Sequence, residues 1–223
     1  MNPHIFREYD IRGVAETDLT SELARNLGRA LGTFHKRRGI ERPRLVVGRD
    51  CRLSSDRLHF ELCAGLRETG VDIVDIGVVP TPLMYFAVFT HEAPVCGGVE
   101  ITGSHNPAPD NGFKMMKDRG SLYGEDIRTL QTLIEETDFD LTTVGGTVTA
   151  LDVLPSYLGF LRGNISLART DLRVAIDAGN GAAGPTAVAA LREIGLEPVA
   201  MLCEMDGAFP VHHPDPTDPH SLE

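Results

Sequence analysis

The 223-residue sequence lacks several features that mark special classes of protein. No apolar run approaches the about 18 residues that a membrane helix needs, and residues 1–10 carry charges where a signal peptide would be apolar. The four cysteines include no C-x-x-C pair, which argues against a disulfide framework and against a zinc site. We therefore expect a soluble, cytoplasmic protein whose cysteines are reduced and buried.

Basic side chains are scarce in the second half of the sequence. Residues 1–120 carry 16 basic and 16 acidic side chains, whereas residues 121–223 carry 5 basic and 16 acidic, which accounts for the net charge of -11. This balance argues against a nucleic-acid partner and against an anionic membrane surface. If the substrate is an anion, the cations that bind it should come from the first half.

The sequence does contain an alternation of strand and helix patterns. Apolar residues recur at helical spacing after Thr20 and after Ser54, and Gly39 and Gly70 stand where those two helices should end. Apolar strands are predicted at residues 44–47, 71–76, 95–101, 113–117, 172–176 and 198–203, and further helices at about 82–91, 125–136, 154–161 and 187–194. This order predicts an α/β fold: a mixed, mostly parallel sheet with helices on both faces.

The alternation is interrupted in a stretch rich in Thr, Gly and Asp, residues 137–150, which is the best candidate for a linker. We expect one domain over residues 1–140 and a second α/β domain of the same type over residues 151–223. The second domain should be incomplete, because two strands and two helices are too few for a doubly wound domain. The proline-rich segment 214–219 can form neither a helix nor a central strand. The unpaired edge of this domain predicts a surface for self-association.

Four polar loops follow predicted strands, at residues 9–13, 48–50, 103–107 and 177–184. Ligands of open α/β sheets collect at such positions, beyond the carboxyl ends of the strands. The third loop is the most reactive in composition, because Ser104 offers a nucleophile between Gly103 and His105 with little steric cover. A turn that only reverses the chain has the same composition, so the loop alone leaves both interpretations open.

The fourth loop supports a rival interpretation. Residues 179–184 read GNGAAG, a G-x-G-x-x-G between a strand and a helix, and Glu204 follows about 20 residues later. The pattern is typical of an NAD-binding oxidoreductase, but this function would leave the loops at 9–13 and 103–107 without a role. A hydrolase that uses Ser104 is less favoured, because the sequence has no G-x-S-x-G elbow.

Several motifs in register resemble the α-D-phosphohexomutase superfamily. Residues 97–107 (GGVEITGSHNP) and 110–114 (DNGFK) resemble its phosphoserine loop, and residues 5–13 (IFREYDIRG) resemble its first strand and loop in the form typical of bacterial phosphomannomutase/phosphoglucomutase. Matching segments follow in the expected order at residues 48–54, 79–82, 177–184 and 206–214. The resemblance covers essentially the whole sequence and implies domain 1 of that fold followed by part of domain 2.

The resemblance implies an isomerase, an intramolecular phosphotransferase that interconverts hexose 1-phosphate and hexose 6-phosphate. A phosphorylated Ser104 would give its phosphate to mannose or glucose phosphate, and the hexose 1,6-bisphosphate so formed would return its other phosphate to Ser104. Phosphoserine carries about -1.5 to -2 charge, which nearby cations must offset. The implied partners are therefore hexose phosphates and their bisphosphates.

The resemblance also implies Mg²⁺ as the cofactor, held by the phosphate on Ser104 and by a three-aspartate loop of the second domain. That loop does not occur in this sequence. Residues 1–223 alone are therefore expected to lack mutase activity, and a non-catalytic module that binds sugar phosphates remains a third interpretation.

The resemblance assigns roles to further residues one by one. Arg12 and Lys114 match basic residues beside the phosphoserine, where they would stabilise the transferring phosphoryl group and assist proton movement. His105 would act with them by orienting the loop and the serine phosphate.

Three further residues are assigned to substrate binding in the same way. Asn106 would orient the serine phosphate beside the substrate, Tyr9 matches a tyrosine on the substrate side, and Arg49 is expected to brace the loops around the site. Glu100 departs from the usual pattern of the family, and we interpret it as a residue on an exposed face of its strand.

Overall fold

The computed structural model describes residues 2–219. Its strands are β1 (Ile11–Val14), β2 (Arg44–Arg49), β3 (Asp72–Val78), β4 (Gly97–Ile101), β5 (Asp110–Lys117), β6 (Gly120–Ser121), β7 (Val148–Ala150), β8 (Ala175–Asp177) and β9 (Val199–Met201). Its α-helices are α1 (Ser21–Arg37), α2 (Ser55–Glu68), α3 (Thr81–Thr90), α4 (Glu125–Glu136), α5 (Leu154–Asn164) and α6 (Ala183–Glu193). No helix among the described residues has both the length and the apolar composition to cross a membrane.

The first seven strands form one sheet in the order β1-β5-β4-β2-β3-β7, with β6 paired to β5. β4, β2, β3 and β7 are parallel, whereas β5 is antiparallel to both of its neighbours, β4 and β1. The predicted mixed, mostly parallel sheet is confirmed. In this register Lys114 lies opposite Glu100 and Arg12 opposite Gly112, so the sheet brings charged residues of three adjacent strands onto one surface.

Helices cover both faces of this sheet, as predicted. The core on one face includes the fully buried side chains of Leu27 from α1, Leu62 from α2 and Phe113 from β5, and α4 closes it. The core on the other face is built around Met84 of α3 and Val153 before α5. The central strands of the sheet are therefore buried between two layers of helices, whereas the strand ends, the loops that follow them and the face around Arg12 and Lys114 are open to ligands.

The helix boundaries follow the signals in the sequence. Thr20 caps α1, because its Oγ1 accepts a hydrogen bond from the Leu23 N–H (3.2 Å). Gly39 and Gly70 adopt φ values of +87° and +82° just beyond α1 and α2, in the left-handed region that ends helices. α4 occupies the predicted range, residues 125–136.

The predicted linker contains a strand that the sequence did not indicate. β7, at residues 148–150, pairs in parallel with β3 and extends the first sheet at its edge. All three of its residues are exposed, so no apolar pattern marks them. The chain therefore leaves the first sheet only after Ala150.

The second unit has two strands and two helices within residues 151–219, as predicted. β8 and β9 form a separate parallel pair, and α5 and α6 contact each other beside it.

The cysteines were predicted to be both reduced and buried, and only part of this prediction agrees with the structure. All four thiols are free, but only Cys63 and Cys96 are buried, whereas Cys51 and Cys203 are partly exposed.

Candidate functional site

Ser104 lies at the exposed tip of the loop that joins β4 to β5, which we call the Ser104 loop (residues 102–107). Its φ of +55° lies in the left-handed region, which is uncommon for a residue with a side chain. The Ser104 N–H donates to Thr102 Oγ1 (2.9 Å), and the Asn106 N–H donates to the Gly103 carbonyl (3.0 Å). The Ser104 hydroxyl makes no hydrogen bond with any described residue, so the loop presents an unengaged oxygen to solvent.

Arg52, in the loop between β2 and α2, holds the Ser104 loop from its buried side. Its guanidinium donates to four carbonyl oxygens, those of Ser104 (2.9 Å), Asn106 (2.8 Å), Pro107 (2.6 Å) and Asp110 (3.0 Å). The Arg52 side chain has no exposed surface, and this burial lowers its pKa, although Asp50 beside it opposes the shift. The four charge-assisted bonds turn the carbonyls of the loop inward and leave the serine side chain outside.

Sequence reasoning did not name Arg52 as a site residue. Its partners are backbone carbonyls, which no side-chain pattern reveals. The only available signal was its place in the 48–54 segment, one of the motifs in the phosphohexomutase order.

Arg12, on β1, is joined to the same loop through Asn106. Its Nη1 donates to Asn106 Oδ1 (2.9 Å) and its Nη2 donates to the Asp10 carboxylate (2.6 Å), while the Asn106 amide donates to Asp110 (3.0 Å). Arg12 Nε is buried without a hydrogen-bond partner among residues 2–219. The guanidinium is thus fixed in place and retains one donor that the described part of the chain does not satisfy.

Arg12 and Lys114 line one cavity of about 280 Å³ on this side of the sheet. Tyr9, Asp10, Tyr85, Met115 and Ser121 complete its walls. Lys114 Nζ makes no hydrogen bond or ion pair with any residue that the structure describes, and Tyr9 is 71% exposed at the rim. Two cations in a small cavity next to an exposed serine can bind a group with negative charge, such as a phosphate.

His105 and Arg49 lie apart from this cavity. His105 is exposed, and it helps the hydrogen bonds from Thr217 to lower the pKa of Asp215. Arg49 is directed toward α2, where its Nε donates to Asp56 (2.6 Å). The roles assigned to these two residues remain predictions, and the contacts of Arg49 with α2 are those of a structural brace.

Glu100 is not on an exposed face, contrary to our interpretation of the sequence. Its side chain is fully buried, and neither carboxyl oxygen has a hydrogen-bond partner among the described residues. β4 is a central strand with helices on both faces, so all five of its residues are buried. This burial and the nearby Asp50 raise the pKa of Glu100 well above its ordinary value, although Lys114 opposes the shift.

The raised pKa predicts how stability changes with pH. The folded protein keeps the Glu100 proton, whereas the unfolded chain releases it near the ordinary value of about 4.3, so this group makes folding less favourable as pH rises above that value. Glutamine at this position cannot ionise, so the Glu100→Gln variant should not lose stability in this way. The melting temperature of the variant minus that of the wild type should increase from about pH 4 to about pH 8. Glu16→Gln, at an exposed position, is the control. The prediction would be contradicted if the melting temperature of Glu100→Gln differed from that of the wild type by the same amount at both pH values.

The glycine-rich loop at 179–184 makes contacts with later residues of the second unit. The Asn180 N–H donates to the Leu202 carbonyl (2.8 Å), and its side-chain amide donates to the Glu204 carbonyl (2.9 Å). The His212 ring covers Gly179 at a distance of 3.0 Å from where a Cβ would stand. Residues 202–212 therefore cover the loop around Gly179 and Asn180, whereas residues 181–183 line a cavity that they share with Ser104. The NAD-binding alternative, which leaves the Ser104 loop without a role, is not supported.

The described residues do not form a Mg²⁺ site of their own. Within residues 2–219, no three His, Cys, Asp or Glu side chains come together in a group that could hold a metal ion. The carboxylates nearest the Ser104 loop already bind other groups, since Asp10 pairs with Arg12 and Asp50 with Arg52. A phosphate on Ser104 would be the one anionic ligand that this loop could offer to a cation.

Comparison with known proteins gives a consistent result. Family models described as phosphoglucomutase/phosphomannomutase, alpha/beta/alpha domains I and II, match residues 3–141 and 155–223. A phosphomannomutase/phosphoglucomutase of Pseudomonas aeruginosa is 42% identical over 219 residues, 98% of this chain and 46% of the relative. A phosphoglucomutase of Neisseria gonorrhoeae is 40% identical over 221 residues, 98% of this chain and 46% of the relative.

A solved structure agrees with these sequence matches. The crystal structure of a phosphoglucomutase/phosphomannomutase family protein from Burkholderia thailandensis matches with a TM-score of 0.93 and 40% identity, covering 100% of this chain and 49% of that chain. The chain thus spans about half the length of the curated relatives it matches.

Proposed function

Because this chain belongs to the phosphoglucomutase/phosphomannomutase family, we propose that it carries the phosphoserine of an enzyme that interconverts hexose 1-phosphate and hexose 6-phosphate. The named relatives support mannose and glucose phosphates as the substrates. Since those relatives are about twice as long, this function is proposed for the intact protein that contains the chain.

One observation carries the proposal: Ser104 stands with its hydroxyl unengaged while Arg52 binds the carbonyls around it. A residue that must hold a phosphate and then release it needs an accessible oxygen on a rigid backbone. The buried guanidinium supports that rigidity. The left-handed conformation of Ser104 is maintained at a cost in backbone energy, which is typical of functional positions.

The proposed reaction consists of two phosphoryl transfers, one from Ser104 to the sugar and one of the sugar's other phosphate back to Ser104. In the first transfer a hydroxyl oxygen of the hexose monophosphate attacks the phosphorus on Ser104. The bond from phosphorus to Ser104 Oγ breaks, the bond to the sugar oxygen forms, and in net terms the sugar hydroxyl proton passes to Ser104 Oγ. After the hexose 1,6-bisphosphate has turned over, Ser104 Oγ attacks the other phosphate, and the serine hydroxyl proton passes to the sugar oxygen that leaves. Serine is phosphorylated again at the end, so the cycle is closed.

Arg12 and Lys114 are proposed to stabilise the charge that spreads over the phosphoryl oxygens during both transfers. Arg12 is held by Asp10 and Asn106, so it can act without rearranging. Lys114 has an ammonium group with no partner in the described chain, which suits it to donate a proton to the departing oxygen, after which its neutral amine takes up the proton of the attacking hydroxyl. Mg²⁺, when bound at the serine phosphate, would add further charge stabilisation. The described residues do not complete its ligand set, so no step above is assigned to it.

The direct test is to locate the phosphate in the intact protein purified from cells. Peptide mapping by mass spectrometry should find one phosphate per chain on Ser104, and incubation with excess hexose monophosphate should remove it only to the extent that the hexose 1,6-bisphosphate leaves the enzyme. A protein without phosphate on Ser104 and without turnover after incubation with hexose 1,6-bisphosphate would instead be a sugar-phosphate-binding module. A stoichiometric phosphate on another residue would overturn the assignment of Ser104.

A further inference from the structure

The second unit meets the first at Arg52, the residue that binds the Ser104 loop. Gly207 forms a single parallel bridge with the backbone of Arg52, and it is buried so closely that a side chain there would collide with the Cys51 carbonyl. Two residues further on, the Phe209 ring covers the Arg52 guanidinium, with the guanidinium carbon 5.0 Å from the ring centroid. The segment 206–210, which we call the Phe209 loop, therefore touches the Ser104 loop through one side chain.

The second unit holds the Phe209 loop in a fixed form. The Asp206 N–H donates to the Asn180 carbonyl (2.9 Å), the Ala208 N–H donates to the Asp206 carboxylate (2.9 Å), and the Phe209 N–H donates to the Asp206 carbonyl (3.0 Å). Phe209 itself has a φ of +49°, in the left-handed region that a bulky residue rarely adopts. This conformation directs the ring onto Arg52 although it costs backbone energy, which points to a functional constraint.

Arg52 makes two kinds of contact, hydrogen bonds from its N–H groups and a contact with an aromatic ring. Its N–H groups serve Asp50 and the four carbonyls of the Ser104 loop and the residues after it, and these bonds require donors in the guanidinium plane. The guanidinium carbon also lies 5.0 Å from the centroid of the Phe209 ring, within the range of a cation–π contact. A displacement of the guanidinium would break hydrogen bonds to the Ser104 loop, and the contact with the ring opposes that displacement.

We propose that Phe209 is a positioning residue for the nucleophile: the second unit sets the conformation of the Ser104 loop through the contact of Phe209 with Arg52. The inference rests on the proposed function only in taking Ser104 as the reacting residue. A cavity of about 260 Å³ lies along this junction and is lined by Ser104, Glu100, Phe209 and Pro214, so the two units are close but not fully packed there. On this proposal, a shift of the second unit would reach Ser104 through Phe209 and Arg52.

The test uses the intact protein and the variant Phe209→Leu, which removes the ring but keeps an apolar side chain. Hydrogen exchange at the amides of residues 103–106 should become faster, because the Arg52 bonds hold this loop. In turnover of glucose 1-phosphate, kcat should fall by between about 10- and 100-fold with KM changed much less, since the defect lies in placing the nucleophile. Phe209→Tyr keeps the ring and should restore both values.

Phe89→Leu is the matched control. Phe89 lies on α3, away from the Ser104 loop, and its ring centroid is 5.3 Å from the guanidinium carbon of Arg119, so it makes the same kind of contact. It should alter neither the exchange of residues 103–106 nor kcat. Gly207→Ala provides a second variant that separates the Phe209 loop from Arg52, and it should reproduce the faster exchange. A lower melting temperature with unchanged exchange at residues 103–106 would overturn the proposal, whatever the activity. If Ser104 is not the reacting residue, the exchange result still stands and only the change in kcat disappears.

Discussion

Ser104→Ala should lower kcat of the intact enzyme by at least about 1000-fold, because it removes the oxygen that gives up the phosphate in the first transfer and accepts one in the second. The melting temperature should change little. The Ser104 side chain is exposed, its hydroxyl has no hydrogen-bond partner in the described chain, and the contacts that hold the loop are made by its backbone. Steady-state turnover of mannose 1-phosphate or glucose 1-phosphate, with a hexose 1,6-bisphosphate as activator, measures the effect.

The control is Ser156→Ala, a change of the same kind at an exposed position of α5. It should leave kcat and melting temperature unchanged. Turnover by Ser104→Ala within about tenfold of the wild type would mean that Ser104 is not the covalent carrier, since removal of a nucleophile costs far more than that.

Arg12→Ala and Lys114→Ala should each lower kcat by about 100- to 1000-fold, the usual loss when a group that stabilises transition-state charge is removed. Both side chains line the same cavity, yet they differ in their hydrogen-bond partners. Arg12→Ala also removes the partner of Asp10 and of Asn106, so it should loosen the Ser104 loop as well. Lys114 has no such partners, so Lys114→Ala should leave the melting temperature nearly unchanged.

Arg37→Ala serves as the control, because Arg37 is a cation on α1 whose ion pairs with Asp138 and Asp140 lie on the opposite face of the sheet. It should have no effect on kcat. If Arg12→Ala or Lys114→Ala raised KM and left kcat intact, the residue would serve substrate binding and not phosphoryl transfer.

Much of the fold was predictable from local patterns. α1 was found because its apolar residues recur at helical spacing between the cap Thr20 and Gly39, and α4 occupies the predicted range. β7 was missed because a strand of three exposed residues has no pattern, and its existence depends on the free edge of β3. The family resemblance, which rested on several motifs in order, is confirmed by the family models and the relatives.

The site was predictable only where side chains carry the signal. Ser104, Arg12 and Asn106 were named from their motifs, and the structure brings the last two into contact. Arg52 was missed because its partners are carbonyls brought together by the fold. Glu100 was misjudged because an acid in a strand is usually solvated, and the burial of β4 on both faces is a property of the whole sheet.

The pairing of β1 with β5 also restricts how this protein can evolve. Arg12 lies opposite Gly112, and Lys114 is the next residue along β5 on the same face. Because side chains alternate along a strand, inserting or deleting one residue between Gly112 and Lys114 would turn the lysine into the core formed by α1, α2 and α4. A change of one residue in the length of this strand would thus remove Lys114 from the cavity that it shares with Arg12. The segment can therefore serve as a fixed reference point when descendants of this sequence are aligned.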